Sequence, residues 1–108
     1  MSRRVTRATG AAAIATTLAP NTPFQLEEIR VHLSAAAATV ENLTVTVDSG
    51  TNAVYDVVLL TQAMNTVADV VYQPTRPLFF EKGDEIDVAY ANTNTRTYGL
   101  EIIWAPTS

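Results

Sequence analysis

The stretch ENLTVTVDSG, residues 41–50, decides the fold class of this 108-residue chain. Leu43, Val45 and Val47 alternate with Thr44 and Thr46, the two-residue period of a strand with one dry and one wet face. Asp48, Ser49 and Gly50 then stop it, because Asp and Ser bond back to the backbone and Gly accepts turn conformations. Upstream, FQLEEIRVHLS (24–34) alternates as well, but Phe24 and Leu26 are one residue out of phase with Ile29, Val31 and Leu33. A bulge at Glu27–Glu28 restores the phase and turns both sets to the core, leaving Arg30 and His32 on the other face. SAAAATVEN (34–42) reads as a loop, since its four alanines are too few to hold a helix.

Downstream the signal continues. In AVYDVVLLTQ (53–62), Tyr55, Val57 and Leu59 lie opposite Val54, Asp56, Val58 and Leu60. Apolar residues on both faces predict a strand covered on both sides, or one that contacts a partner. VADVVYQP, PLFFE, EIDVAYAN and YGLEIIWA supply further strands. Pro74 and Pro77 separate two of them because proline cannot donate to a ladder. With one strand in residues 11–18, the expected total is about eight. No segment carries a 3.6-residue apolar period, and turn chemistry recurs every ~8–12 residues. These features predict an all-β, single-domain antiparallel β-sandwich, in its most economical form an eight-stranded jelly roll. The long connections SAAAATVEN and the span around Asn65–Thr66 suit Greek-key crossovers.

Charge divides the chain. Residues 1–20 carry Arg3, Arg4 and Arg7 and no acid, so they hold +3 of a net −4, leaving −7 on residues 21–108. Residues 1–20 are therefore read as a basic, Ala-rich N-terminal arm or first strand, and residues 21–108 as the sandwich domain. An arm of that charge suits docking on an acidic surface, and its deletion is expected to leave a folded domain. The acidic body argues against nucleic acid as a partner, because phosphate neutralisation needs a basic face. The head imitates a signal peptide poorly: in AAAIATTLA only Ile14 and Leu18 are strongly apolar, and Thr16 and Thr17 interrupt them. No run approaches the ~20 apolar residues of a membrane span, so no membrane partner is expected. There is no Cys, which removes disulfides, thiolate metal sites and cysteine nucleophiles together.

FFEKGDEIDVAY (79–90) gathers Glu81, Asp84, Glu85 and Asp87, with Glu101 more distant. Ile86, Val88 and Tyr90 alternate with Glu85, Asp87 and Ala89, so the two acids share the wet face of a strand about 7 Å apart. A calcium site wants oxygens converging from a loop, and an acid catalyst of glycoside hydrolysis must be desolvated. Neither description fits, and no metal is expected. Gly83 and Asp84 read as the turn before the strand. Lys82-Gly83-Asp84 matches a short integrin-binding tripeptide, a pattern that recurs by chance. His32, the single imidazole, sits mid-strand with no nucleophile motif near it. No catalytic residue and no cofactor are expected. The polar loop ANTNTRTYG (91–99) offers Asn92, Asn94, Arg96 and Tyr98 as a sugar-recognition set, against a plain role for Asn92 and Asn94 as turn formers. Trp104 shares a face with Leu100 and Ile102 and is expected in the core.

Taken in order, FQLEEIRVHLS, ENLTVTVDSG, YDVVLL and PLFFEKGDEIDVAYANTNTRTYGLEIIW resemble small structural proteins of tailed-bacteriophage virions, over residues 24–105. These are jelly-roll or β-sandwich proteins that decorate or cement the capsid, or form head fibres. The resemblance implies no enzymatic activity and a place on the capsid surface after assembly in the host cytoplasm. It also implies self-association, often as a homotrimer, and contact with the major capsid protein. Arg3, Arg4 and Arg7, together with Tyr55, Val57 and Leu59, are then the expected contact residues. A fibre, tail or carbohydrate-binding module using Asn92, Asn94, Arg96 and Tyr98 is the alternative.

Overall fold

A computed structural model of the chain describes residues 2–107. Nine strands form two antiparallel sheets among these residues: β1 (Arg4–Gly10), β2 (Ile14–Leu18), β3 (Phe24–Leu33), β4 (Asn42–Asp48), β5 (Val57–Ala63), β6 (Asp69–Tyr72), β7 (Leu78–Phe80), β8 (Glu85–Tyr90) and β9 (Tyr98–Pro106). The first sheet runs β1-β9-β3-β6, with β7 also on β3; the second runs β2-β8-β4-β5. They pack face to face as a β-sandwich. Among the described residues the only helical element is one 3-10 turn, Ala53–Tyr55, and no helix is long and apolar enough to cross a membrane.

The alternation read from the sequence sets the layers. Leu43, Val45 and Val47 of β4 and Ile86, Val88 and Tyr90 of β8 are buried, facing Ile29, Val31, Leu33, Leu100 and Ile102 of the first sheet. Each aliphatic side chain taken fully from water contributes roughly 1.5–3 kcal/mol before entropy is charged against it. The bulge falls where the phase break placed it: Leu26 pairs with Trp104 and Glu28 with Ile103, leaving Glu27 as the extra residue. Phe24 and Leu26 are thereby buried on the same side as Ile29. At that end Phe24 stacks on Phe80, with ring centroids 5.2 Å apart, and meets Trp104 edge-on at 6.3 Å. At the opposite end Ala37 and Met64 close the core, tied by an Ala37 N–H bond to the Met64 carbonyl of 2.9 Å.

Two readings change. Of the choices for residues 1–20, arm or first strand, the strand describes what is seen. β1 pairs with β9 from Arg4↔Trp104 to Gly10↔Tyr98, and β2 pairs with β8 from Ile14↔Tyr90 to Leu18↔Ile86. Removing them strips an outer strand from each sheet, so the body is not expected to fold without them. This makes nine strands where eight were expected. The other change concerns β5, which is an outermost strand and pairs only with β4. Val57 and Val58 stay largely exposed there, so a strand covered on both sides is corrected to a free edge. Tyr55 belongs to the preceding 3-10 turn, capped by the Asn52 side chain accepting from the Val54 N–H.

Candidate functional site

The three N-terminal arginines are spent on their own sheet. Arg3 donates to Glu27, the bulge residue, at 2.6 Å, and Arg7 to Glu101 at 2.6 Å. Arg4 lies over the Trp104 ring, 5.7 Å from its centroid, a cation–π contact that also covers the indole. The indole N–H donates to the Thr6 hydroxyl at 3.1 Å. Trp104 thus packs against the core edge-on, as its phase predicts, with one side left to Arg4. The hydrogen bond from Arg3 holds the Glu27 carboxyl below the usual carboxylate range, and that from Arg7 does the same for Glu101. Both arginines remain exposed at their outer ends.

Tyr55, Val57 and Leu59 do come together. They line a recess of about 280 Å³ between the β5 edge and β7, with Leu78, Phe79 and Phe80 opposite. β5 carries a bulge here: Thr46 pairs with Val58 and Val45 with Leu60, which leaves Leu59 unpaired. Across the gap β7 is only three residues long, so the first sheet does not cover the mouth. Tyr55 is 61% exposed and Phe79 70%. Phe79 was not singled out from sequence. The signal was the doublet itself, because in a strand only one of Phe79 and Phe80 faces inward. One acid, Asp84, lines the mouth. Asp84 is a turn clamp, accepting from the Gly50 and Glu81 N–H groups, each at 2.9 Å.

The loop read as a sugar set is directed inward. Asn92 is 2% exposed; its amide donates to the Ala12 and Arg96 carbonyls and its oxygen accepts from the Arg96 N–H. The Asn94 oxygen accepts from the Thr39 N–H, and the Arg96 guanidinium donates to the Ala36 carbonyl. Tyr98 is 8% exposed, with its ring against Gly10. Tyr98 presents no bare ring face, and the other three turn polar groups to backbone partners within the chain. Their polar groups fasten the loop to its neighbours. Beneath them the Tyr90 hydroxyl is buried without a hydrogen-bond partner, and burial, with Glu41 adding to it, pushes the phenol up.

The sheet adds Asp48 to Glu85 and Asp87 across the β4–β8 ladder, and the three carboxylates offer oxygens within 4.8 Å of one another. Thr17 donates its hydroxyl to Asp87 at 2.7 Å. Among the described residues, this trio on the outer face of the second sheet is a group whose carboxylates could converge on a cation. His32 stands exposed on β3 opposite Asp69 of β6, and the two side chains pair. No protein-family profile matches the chain, and no curated protein matches it by sequence.

Proposed function

We propose that the chain is a structural protein of a bacteriophage particle: a capsid decoration (cement) protein that self-associates, as a homotrimer, and seats on the major capsid protein at the virion surface. The reading rests on the resemblance over residues 24–105 and assigns the chain no enzymatic activity. The strand orders β1-β9-β3-β6 and β2-β8-β4-β5 support a jelly-roll description within it. An antiparallel ribbon rolled once into two sheets interleaves its strands this way, with β6 and β7 as two pieces of one strand broken around Pro74 and Pro77.

The observation that carries the proposal is the apolar mouth beside the free β5 edge. Tyr55, Val57 and Phe79 stand exposed around this recess, with Val58 exposed on the other face of the β5 edge, and an apolar surface of this kind marks an interaction site. A partner laid there gains both ladder hydrogen bonds from β5 and burial of Phe79 and Tyr55. Binding only to the assembled shell then stabilises that shell by mass action. The N-terminal arginines, tied to Glu27 and Glu101, contribute through their exposed outer ends and not as a free arm.

The test is the solution mass of the purified protein, alone and after mixing with expanded capsids. The wild-type chain is expected as a trimer that co-sediments with capsids. Phe79→Asp combined with Val58→Lys should give a monomer that stays in the supernatant, with its thermal transition unchanged. A monomeric wild-type protein that ignores capsids would sink the proposal, as would a double variant that still binds.

A further inference from the structure

The outer face of the first sheet carries a feature that assembly through the β5 side does not use. We propose that the dish centred on Gly99 binds a neutral oligosaccharide. Four strands cross it in two rows. The first row is Thr9, Gly99, His32 and Asp69, and the second is Arg7, Glu101, Arg30 and Val71. Their chain neighbours Val31 and Leu100 are buried in the core, so both rows point away from it. The depression measures about 670 Å³, inside the ~300–1,000 Å³ range of small-molecule sites.

Gly99 is the reason the dish exists. A Cβ placed there would meet nothing within 4 Å, and its backbone is not in the left-handed region. Neither conformation nor packing within the chain asks for glycine, and glycine weakens a strand interior by about 0.5–1 kcal/mol relative to alanine. In a strand such a glycine marks close approach by a ligand or another backbone. Its missing side chain leaves a flat floor of backbone and Cα–H, walled on one side by the exposed Val71.

The rim selects the ligand class. Each basic side chain that faces the dish already faces a carboxylate. Arg7 bonds Glu101 at 2.6 Å; Arg30 reaches Glu101 at 3.5 Å and also pairs with Glu28; His32 pairs with Asp69. An anion or a cation therefore finds no unmatched opposite charge. A purely apolar ligand would strip water from these groups and return nothing. A ring of hydroxyls meets both demands, accepting from guanidinium and imidazole N–H groups and donating to carboxylate and Thr9 oxygens, while its C–H face lies over Gly99. Because the rim residues already hold one another, little ordering is charged against binding. This holds whether or not the chain decorates a capsid.

The experiment is a glycan array, followed by amide chemical-shift titration of the full chain with maltotriose, lactose, cellotriose and 3′-sialyllactose. At least one neutral sugar should move the amides of Gly99, Leu100 and His32, with an affinity insensitive to added salt. Gly99→Val fills the dish at an unobstructed strand position and should weaken that sugar tenfold or more at an unchanged melting temperature. Val71→Glu, at an exposed edge site, should weaken it too, and Asn94→Ala should not. Three outcomes would overturn the proposal: shifts confined to residues 91–97, full binding by Gly99→Val and Val71→Glu, or binding of the sialylated sugar alone. No response to any neutral glycan would do so as well.

Discussion

Gly50 and Gly99 are both glycines beside a sheet, yet opposite substitutions are expected of them. A Cβ on Gly50 would lie 2.6 Å from the carbonyl carbon and oxygen of Gly83, backbone that cannot swing aside. Gly83 is itself held at φ +97° in the turn before β8, with Asp84 bonded back to the Gly50 N–H. Gly50→Ala should therefore cost about 1–3 kcal/mol, read as a lower urea midpoint at unchanged slope, whereas Gly99→Ala should be neutral or slightly stabilising. Some single residues were legible in the sequence and others were not. The extra residue at Glu27 announced itself because a strand's period is two and one insertion inverts the phase. Asn92 did not, because an Asn in a polar loop looks the same whether its amide meets water, a sugar or the Ala12 carbonyl. Only the fold around it decides.

Among the elements, β1 left the faintest trace in the sequence. Its inward positions are Arg4, Thr6, Ala8 and Gly10, opposite Trp104, Ile102, Leu100 and Tyr98. The large rings of β9 already fill that space, so the neighbouring strand must be small, and small residues give no apolar period to detect. What binds β1 besides its ladder is partly electrostatic. Glu27 and Glu101 titrate lower in the folded chain than in the unfolded one, owing to their bonds from Arg3 and Arg7. Their contribution is complete above the unfolded carboxyl value of about 4.3 and is lost as pH falls through the lower folded values. Stability measured by urea unfolding should therefore drop on acidification below about pH 4.5, and less steeply in Glu101→Gln. Equal slopes for the two proteins would show that the Arg7–Glu101 pair adds nothing. The apolar pattern of β5 was legible, but its exposure was not, since a buried central strand and a sticky edge have the same composition.

At the scale of the whole molecule, the sandwich closes by joining its first strand to its last, so neither half of the chain can complete a sheet alone. Deleting residues 2–11 should abolish the cooperative thermal transition and expose dye-binding apolar surface. A sharp transition at the original temperature would instead restore the picture of a detachable arm. The two-layer class was plain from alternation. The pairing of distant strands was not, because long-range partners leave no local mark in a sequence of short strands. One further trait of the assembled molecule lies in its interrupted β6–β7 margin. Four residues, then a proline-bounded gap, then three residues cannot template an incoming chain along their length, whereas the seven residues of β5 can. Growth by strand addition therefore has one donor margin and one blunted one on the same flank. An incoming strand on that flank is directed to β5, while β1 and β2 offer edges of their own on the other.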